Sequence, residues 1–251
     1  MTKRKPHNRS KGKNPQKSQA QLIYGLHAVR AVLDNPQRKV RQLWASANAE
    51  TEIRSHIKEQ HPKIQMLNIR ELSKIIPENS VHQGIIAEVE PLPNPDFQDI
   101  LAEGKLLLAL DQINDPGNMG AILRSAAAFG VGGVAVPRHN SPQNAMSLAK
   151  AASGALEIVP LVDIGNLSRS LQIAQKAGYI VVGLDEDASI TLDEVPKNAP
   201  IMCVMGAEGK GLRRLTTQNC DYTAKLPLNA EFSTLNVSAA TAIALYILTR
   251  P

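Results

Sequence analysis

The stretch 105–113, KLLLALDQI, constrains this chain more than any other feature. It is apolar almost throughout and shows no alternation of polar and apolar positions. A strand of that kind is buried on both faces, as in a parallel sheet. Strands and helices then alternate. The sequence predicts a helix over 118–129, a strand at 132–136 (GGVAV) and a helix over 144–152. A strand at 156–161 (LEIVPL), a helix over 166–177 and strands at 179–184 (YIVVGL) and 200–206 (PIMCVMG) follow. This alternation implies an α/β unit, with helices on both faces of a parallel sheet.

Ahead of it lies a smaller set of alternating elements. Folded sequence starts near Leu22. Leu26, Val29, Val32 and Leu33 share one helical face and Asn35-Pro36 ends that helix. VRQLWA, KIQML and GIIAEV read as strands, TEIRSHIKEQ and IRELSKII as helices. Residues 91–97, PLPNPDF, hold three prolines. Proline fixes φ and lacks an amide donor, so this stretch reads as an extended linker. The expected organisation is a tail at 1–20, a small α/β unit at 21–91, a linker at 92–103 and a larger α/β unit at 104–251.

Charge separates the tail from the rest. The chain carries +5, and residues 1–20 carry seven basic residues and no acid, which leaves −2 for the remainder. The tail is too polar to form a core. It reads as a disordered arm that gathers phosphates through counterion release, with a solubilising tail as the other reading. No apolar run is long enough for a membrane span and the N-terminus has no apolar signal core, so a cytoplasmic protein is expected. Two cysteines cannot build a disulfide framework, and the six histidines lack metal-ligand spacing. No metal site is expected. Aromatic residues are only 3%, which argues against recognition of single strands by base stacking.

Three stretches carry possible chemistry, all in the larger unit. The first runs from Asp115 to Ala126 and contains Asn118 and Arg124. It follows the buried strand and opens a helix, where ligands gather in parallel sheets. Pro116-Gly117 forms a turn and Asn118 is the expected N-cap. Arg124, within an otherwise apolar helix, is expected to be partly buried and to seek an anion such as phosphate; a structural ion pair is the alternative. The second stretch is Met205–Gly211. Gly206, Gly209 and Gly211 let the backbone approach a ligand closely, or simply make a flexible turn. Its spacing fits neither a Walker A loop nor the dinucleotide fingerprint. The third, Phe232–Ser238, contains Thr234, Leu235 and Asn236 and opens the final helix, 235–249. Its polar side chains cap the helix or ring a polar ligand. That helix is apolar nearly all round, which points to burial on both sides, in a homodimer interface or, as the alternative, under the front unit.

Together the three stretches resemble the three motifs of the SpoU (TrmH-like) RNA ribose methyltransferases: N-x-G-A-x-x-R, then G-x-E-G-x-G, then L-N-V-S. Ile23–Val29 and Val81–Ile85 resemble the small substrate-binding domain of the bacterial 23S ribosomal RNA guanosine 2′-O-methyltransferases, which is similar to ribosomal protein L30e. The resemblance spans about residues 22–250. It implies a SPOUT-type α/β domain with a deep trefoil knot, a departure from the usual rule against threading. It implies S-adenosylmethionine as cofactor, a homodimer with each site completed across the interface, and 23S rRNA as partner. By motif, Asn118, Arg124, Glu208 and Asn236 would be the polar site residues. Gly206, Gly209, Gly211, Leu226, Leu235 and Thr234 would lie along the cofactor. Thr234 stands where the family usually has serine. The implied activity is 2′-O-methylation of a guanosine ribose in 23S rRNA. A tRNA ribose methyltransferase and a noncatalytic RNA-binding assembly factor are the alternatives.

Overall fold

The computed structural model describes residues 20–78, 80–138, 145–229 and 235–250. The basic tail and Phe232, Ser233 and Thr234 lie outside them, with the expectations placed on them.

The front unit is a four-stranded sheet of β1 (Gln21–Tyr24), β2 (Val40–Ala45), β3 (Ile64–Met66) and β4 (Ile85–Val89), in the order β1-β4-β2-β3. β4 runs antiparallel to both neighbours, and β2 runs parallel to β3. Helix α1 (Leu26–Asp34) buries Ala28, Val29, Val32 and Leu33 against it, the face read from the sequence. Helix α2 (Ala47–Ile53) and the single turn α3 (Ile69–Leu72) complete the unit. β1 is not legible in the sequence, because its four residues, ending at Tyr24, merge into the helical pattern of α1.

The expected linker is only partly irregular. After Glu90 the chain has no helix or strand up to Asp96, then forms α4 (Phe97–Ala102). The Asp96 carboxylate accepts from the Gln98 amide, and Ile100 and Leu101 sink into the core of the larger sheet. The prolines stop at residue 95, and with them the reason to stay extended.

The larger sheet has seven strands: β5 (Leu107–Leu110), β6 (Gly133–Pro137), β7 (Leu161–Ile164), β8 (Ile180–Leu184), β9 (Ile190–Thr191), β10 (Ile201–Met205) and β11 (Tyr222–Lys225). Their order is β7-β6-β5-β10-β8-β11-β9 and every pair is parallel. β5, β6 and β10 are buried from end to end, as double-sided strands must be. Helices α5 (Pro116–Ala128), α6 (Ala145–Ala152), α7 (Leu167–Lys176), α8 (Arg214–Thr217) and α9 (Val237–Thr249) connect or cover them. The strand expected at 156–161 is not there. Residues 155–157 make a 3₁₀ turn after Gly154, which takes left-handed backbone, and the strand begins at Leu161, just past Pro160.

α9 is covered on one side only. Val237, Thr241, Ala244, Leu245 and Leu248 are buried, and the helix packs on α5. Ile243 and Ile247 are half-buried and Tyr246 is exposed.

Candidate active site

Asn118, Glu208 and Asn236, one from each of the three stretches, meet at the carboxyl edge of this sheet. Asp115, not Asn118, caps α5: its carboxylate accepts from the Asn118 amide at 2.7 Å, with Pro116 in the first turn. Proline supplies no donor and suits that position. The Asn118 side chain is thereby released from capping. Its Oδ1 instead accepts from Asn236 Nδ2 at 3.0 Å, across 118 residues of sequence.

Asn236 is fixed from both ends. Its Oδ1 caps α9, accepting from the Ser238 amide at 2.9 Å and the Ser238 hydroxyl at 2.6 Å. Its Nδ2 therefore faces outward, to Asn118 and, at 3.5 Å, to Glu208 Oε2. One amide thus ties the first, second and third stretches together. Asn118 Nδ2 has no acceptor among the described residues and stays available as a donor.

The glycine loop is folded tightly on itself. A side chain on Gly206 would run into the backbone of Gly211 and Leu212. The Gly211 amide donates to the Ala207 carbonyl at 2.9 Å, and Gly209 and Gly211 take left-handed backbone (φ 73° and 59°). The far end of the loop is pinned by Asp111, the one acid within the apolar run 105–113. Asp111 is fully buried at the end of β5. Its carboxylate accepts from the Arg213 amide at 3.0 Å and the Thr216 hydroxyl at 2.7 Å, and the Arg213 guanidinium lies 2.7 Å away. A lone acid ending a wholly apolar strand was the available signal. Gln112, next to it, is held at φ 63°, an uncommon conformation for a residue with a side chain.

A cleft of about 770 Å³ opens against the loop. Gly206, Gly209, Gly211, Leu226, Leu235, Asp185, Glu186 and Asp187 are among its lining residues. Six of the expected residues, Gly206, Gly209, Gly211, Glu208, Leu226 and Leu235, therefore share one cavity. It is large enough for a cofactor-sized molecule. Asp185, Glu186, Asp187 and Glu208 outnumber Lys210 and Lys225 along it, a balance that suits a cationic ligand, and its glycine backbone offers close approach without side chains.

Arg124 differs from expectation. It is exposed and has no ion pair or hydrogen bond among the described residues. Six residues along a helix turn the side chain about 240° from Asn118. Within one chain it leaves α5 on a different side from the Asn118–Asn236–Glu208 cluster. The expectation of partial burial assumed an apolar surround, but Met119, Gly120, Ile122, Leu123 and Ala126 occupy the buried side without it.

Residues 105–246 match the SpoU rRNA Methylase family, and residues 22–95 match the RNA 2′-O ribose methyltransferase substrate binding family. The chain belongs to the SpoU rRNA methylase family. It is 38% identical to the 23S rRNA (guanosine-2′-O-)-methyltransferase RlmB of Pseudomonas aeruginosa, over 93% of this chain and 97% of that protein. It is 40% identical to the RlmB of Pasteurella multocida, over 91% and 97%. The fold resembles an AdoMet-bound rRNA methyltransferase from Sinorhizobium meliloti, with TM-score 0.77 at 22% identity, over 92% of this chain and 87% of that one. That likeness speaks to the fold alone. Among the described residues no helix is long and apolar enough to cross a membrane, and no cluster of His, Cys, Asp or Glu could hold a metal.

Proposed function

We propose that this protein transfers a methyl group from S-adenosylmethionine to the 2′-hydroxyl of a guanosine ribose in 23S rRNA. The observation that carries the reading is the convergence of Asn118, Glu208 and Asn236 beside the glycine-lined cleft. The RlmB relatives, similar along nearly the whole chain, support the substrate.

S-adenosylmethionine supplies a methyl group as an electrophile when bound. Gly206, Gly209, Gly211, Leu226 and Leu235 would hold it, the glycines by backbone contact. The acidic side chains of Asp185, Glu186 and Asp187 complement its positive charge. Asn236, locked by its role as helix cap, orients Asn118, whose free amide hydrogens would position the ribose. Holding the two reactants in line accounts for much of the rate. Arg124 would grip the nucleotide phosphate and stabilise the developing alkoxide. A guanidinium holds its proton far too tightly to serve as a base.

Arg124 leaves α5 away from the cluster of its own chain. In a homodimer formed through the open sides of α9 and α5, the partner subunit's Arg124 would complete the site. The half-covered apolar face of α9 supports this reading. We further read residues 104–251 as a SPOUT-type domain closed by a deep trefoil knot, which the SpoU family match supports. Residues 21–91 are read as an L30e-like RNA-binding domain, 92–103 as the linker and 1–20 as a basic arm, all in the cytoplasm.

Calorimetric titration with S-adenosylmethionine, followed by methylation of unmodified 23S rRNA fragments and of bulk tRNA, tests the proposal. Cofactor binding with methylation confined to 23S rRNA is expected. Methylation of tRNA alone, or no cofactor binding, overturns it.

A further inference from the structure

The two units are joined by a seam built around two buried charges. Arg38, in the loop after α1, meets Glu157, in the 3₁₀ turn of the larger unit, with each side chain 3% exposed. Arg38 Nε donates to Glu157 Oε2 at 3.0 Å and Nη2 to Oε1 at 2.6 Å. Arg38 Nη1 donates to the Glu90 carbonyl at 2.8 Å, where the front unit ends. Asn35 Nδ2 donates to Glu157 Oε2 at 2.8 Å. The forked pair fixes direction as well as distance.

Around it, α6 is shared by both cores. Leu148 and Ala152 pack with the larger unit, while Ala149 joins the front core and Met146 packs beside Tyr24. Two close approaches extend the seam to the site. A side chain on Gly154 would lie 2.6 Å from Ala31 of α1, and one on Gly120 of α5 would collide with Ala151 of α6. The front unit therefore bears on α6, and α6 bears on α5, the helix that carries Asn118 and Arg124.

Burying an ion pair is costly, and an apolar pair of similar volume often packs at least as stably. A linker and an apolar seam would suffice to keep the units attached. The forked charge pair adds orientation. We infer that Arg38 and Glu157 are positioning residues that lock the RNA-binding unit at one angle to the methyl-transfer site, so that this unit measures where the target ribose falls. The inference rests on the methyl-transfer reading above.

The test compares wild type, Arg38→Met, Glu157→Gln and the double variant Arg38→Met/Glu157→Met, all in the full chain. Thermal unfolding, S-adenosylmethionine affinity, and kcat and KM on 23S rRNA are measured for each. Both single variants are expected to lose at least about tenfold in kcat/KM for the RNA, because small misplacements of a reacting group are costly. Their cofactor affinity stays within twofold of wild type. The double variant, free of unpaired buried charge, recovers the wild-type Tm but not the turnover. If turnover follows Tm through all three variants, stays at wild type in all three, or falls together with cofactor affinity, the inference is wrong. Failure of wild type itself to methylate the RNA would instead overturn the functional reading.

Discussion

The seam between the two units and the carboxyl edge of the larger sheet both gather polar side chains from distant parts of the chain, in opposite ways. At the seam, Arg38 and Glu157 are buried and their hydrogen-bonding groups are met from three elements. At the edge, Asn236 and Glu208 are exposed, Asn118 is half-buried with free amide hydrogens, and Arg124 points into solvent. Polar groups that are saturated inside a protein define its shape. Polar groups that are oriented but unsaturated are poised for a ligand, and here Glu208 lines the cleft with Asn236 and Asn118 hydrogen-bonded beside it.

The largest effect that could break this contrast is at Arg124. Arg124→Ala should lower methyl transfer by about 100- to 1000-fold, the scale of losing a charge-stabilising donor. Because the side chain has no partner among the described residues, Tm and cofactor affinity should not change. A variant that turns over normally removes Arg124 from the mechanism. Next comes Gly206→Ala. The added methyl meets the backbone of Gly211 and Leu212, so the loop must shift. Affinity for S-adenosylmethionine should fall by about tenfold or more, read by calorimetry. Unchanged affinity would mean that the loop does not hold the cofactor.

The contrast also sets what the sequence could reveal. The double-sided strands β5, β6 and β10 were legible because burial on both faces leaves an apolar run. α1 and α7 were legible from periodicity. β9 and β11 were not: they are short and lie toward one end of the sheet, and Tyr222, Thr223 and Lys225 carry no apolar pattern. Asn118, Glu208 and Asn236 could be named as a set through the family motifs, but not their hydrogen-bond arrangement. The capping role passed to Asp115 because the proline after it selects the helix start. The Arg38–Glu157 pair was invisible, since 119 residues separate its members and each resembles an ordinary surface charge.

Smaller effects sharpen the comparison. Asn236→Ala removes the cap of α9, worth about 1 kcal/mol, and should lower Tm by about 2–4 °C. It also releases Asn118, so turnover should drop more than stability does. A loss of stability with full turnover would reduce Asn236 to a cap.

The smallest expected effect is a pH dependence in the front unit. His82 is buried, and burial holds its pKa below the ordinary 6.5. Its Nδ1 accepts from the Gly84 amide at 3.1 Å, so the neutral ring is the folded form. That contribution is complete above the unfolded pKa and is lost as pH falls below about 6.5 toward the lowered folded value. The Tm difference between wild type and His82→Gln should shrink from pH 7.5 to 5.5. A constant difference would show that the ring does not titrate on unfolding.

The most direct test of the site is where the methyl goes. Unmodified 23S rRNA is incubated with the protein and methyl-labelled S-adenosylmethionine, digested to nucleosides and separated. The site described above predicts label in 2′-O-methylguanosine alone, and none with Arg124→Ala at equal cofactor occupancy. Label on a base, or undiminished label from Arg124→Ala, would contradict it.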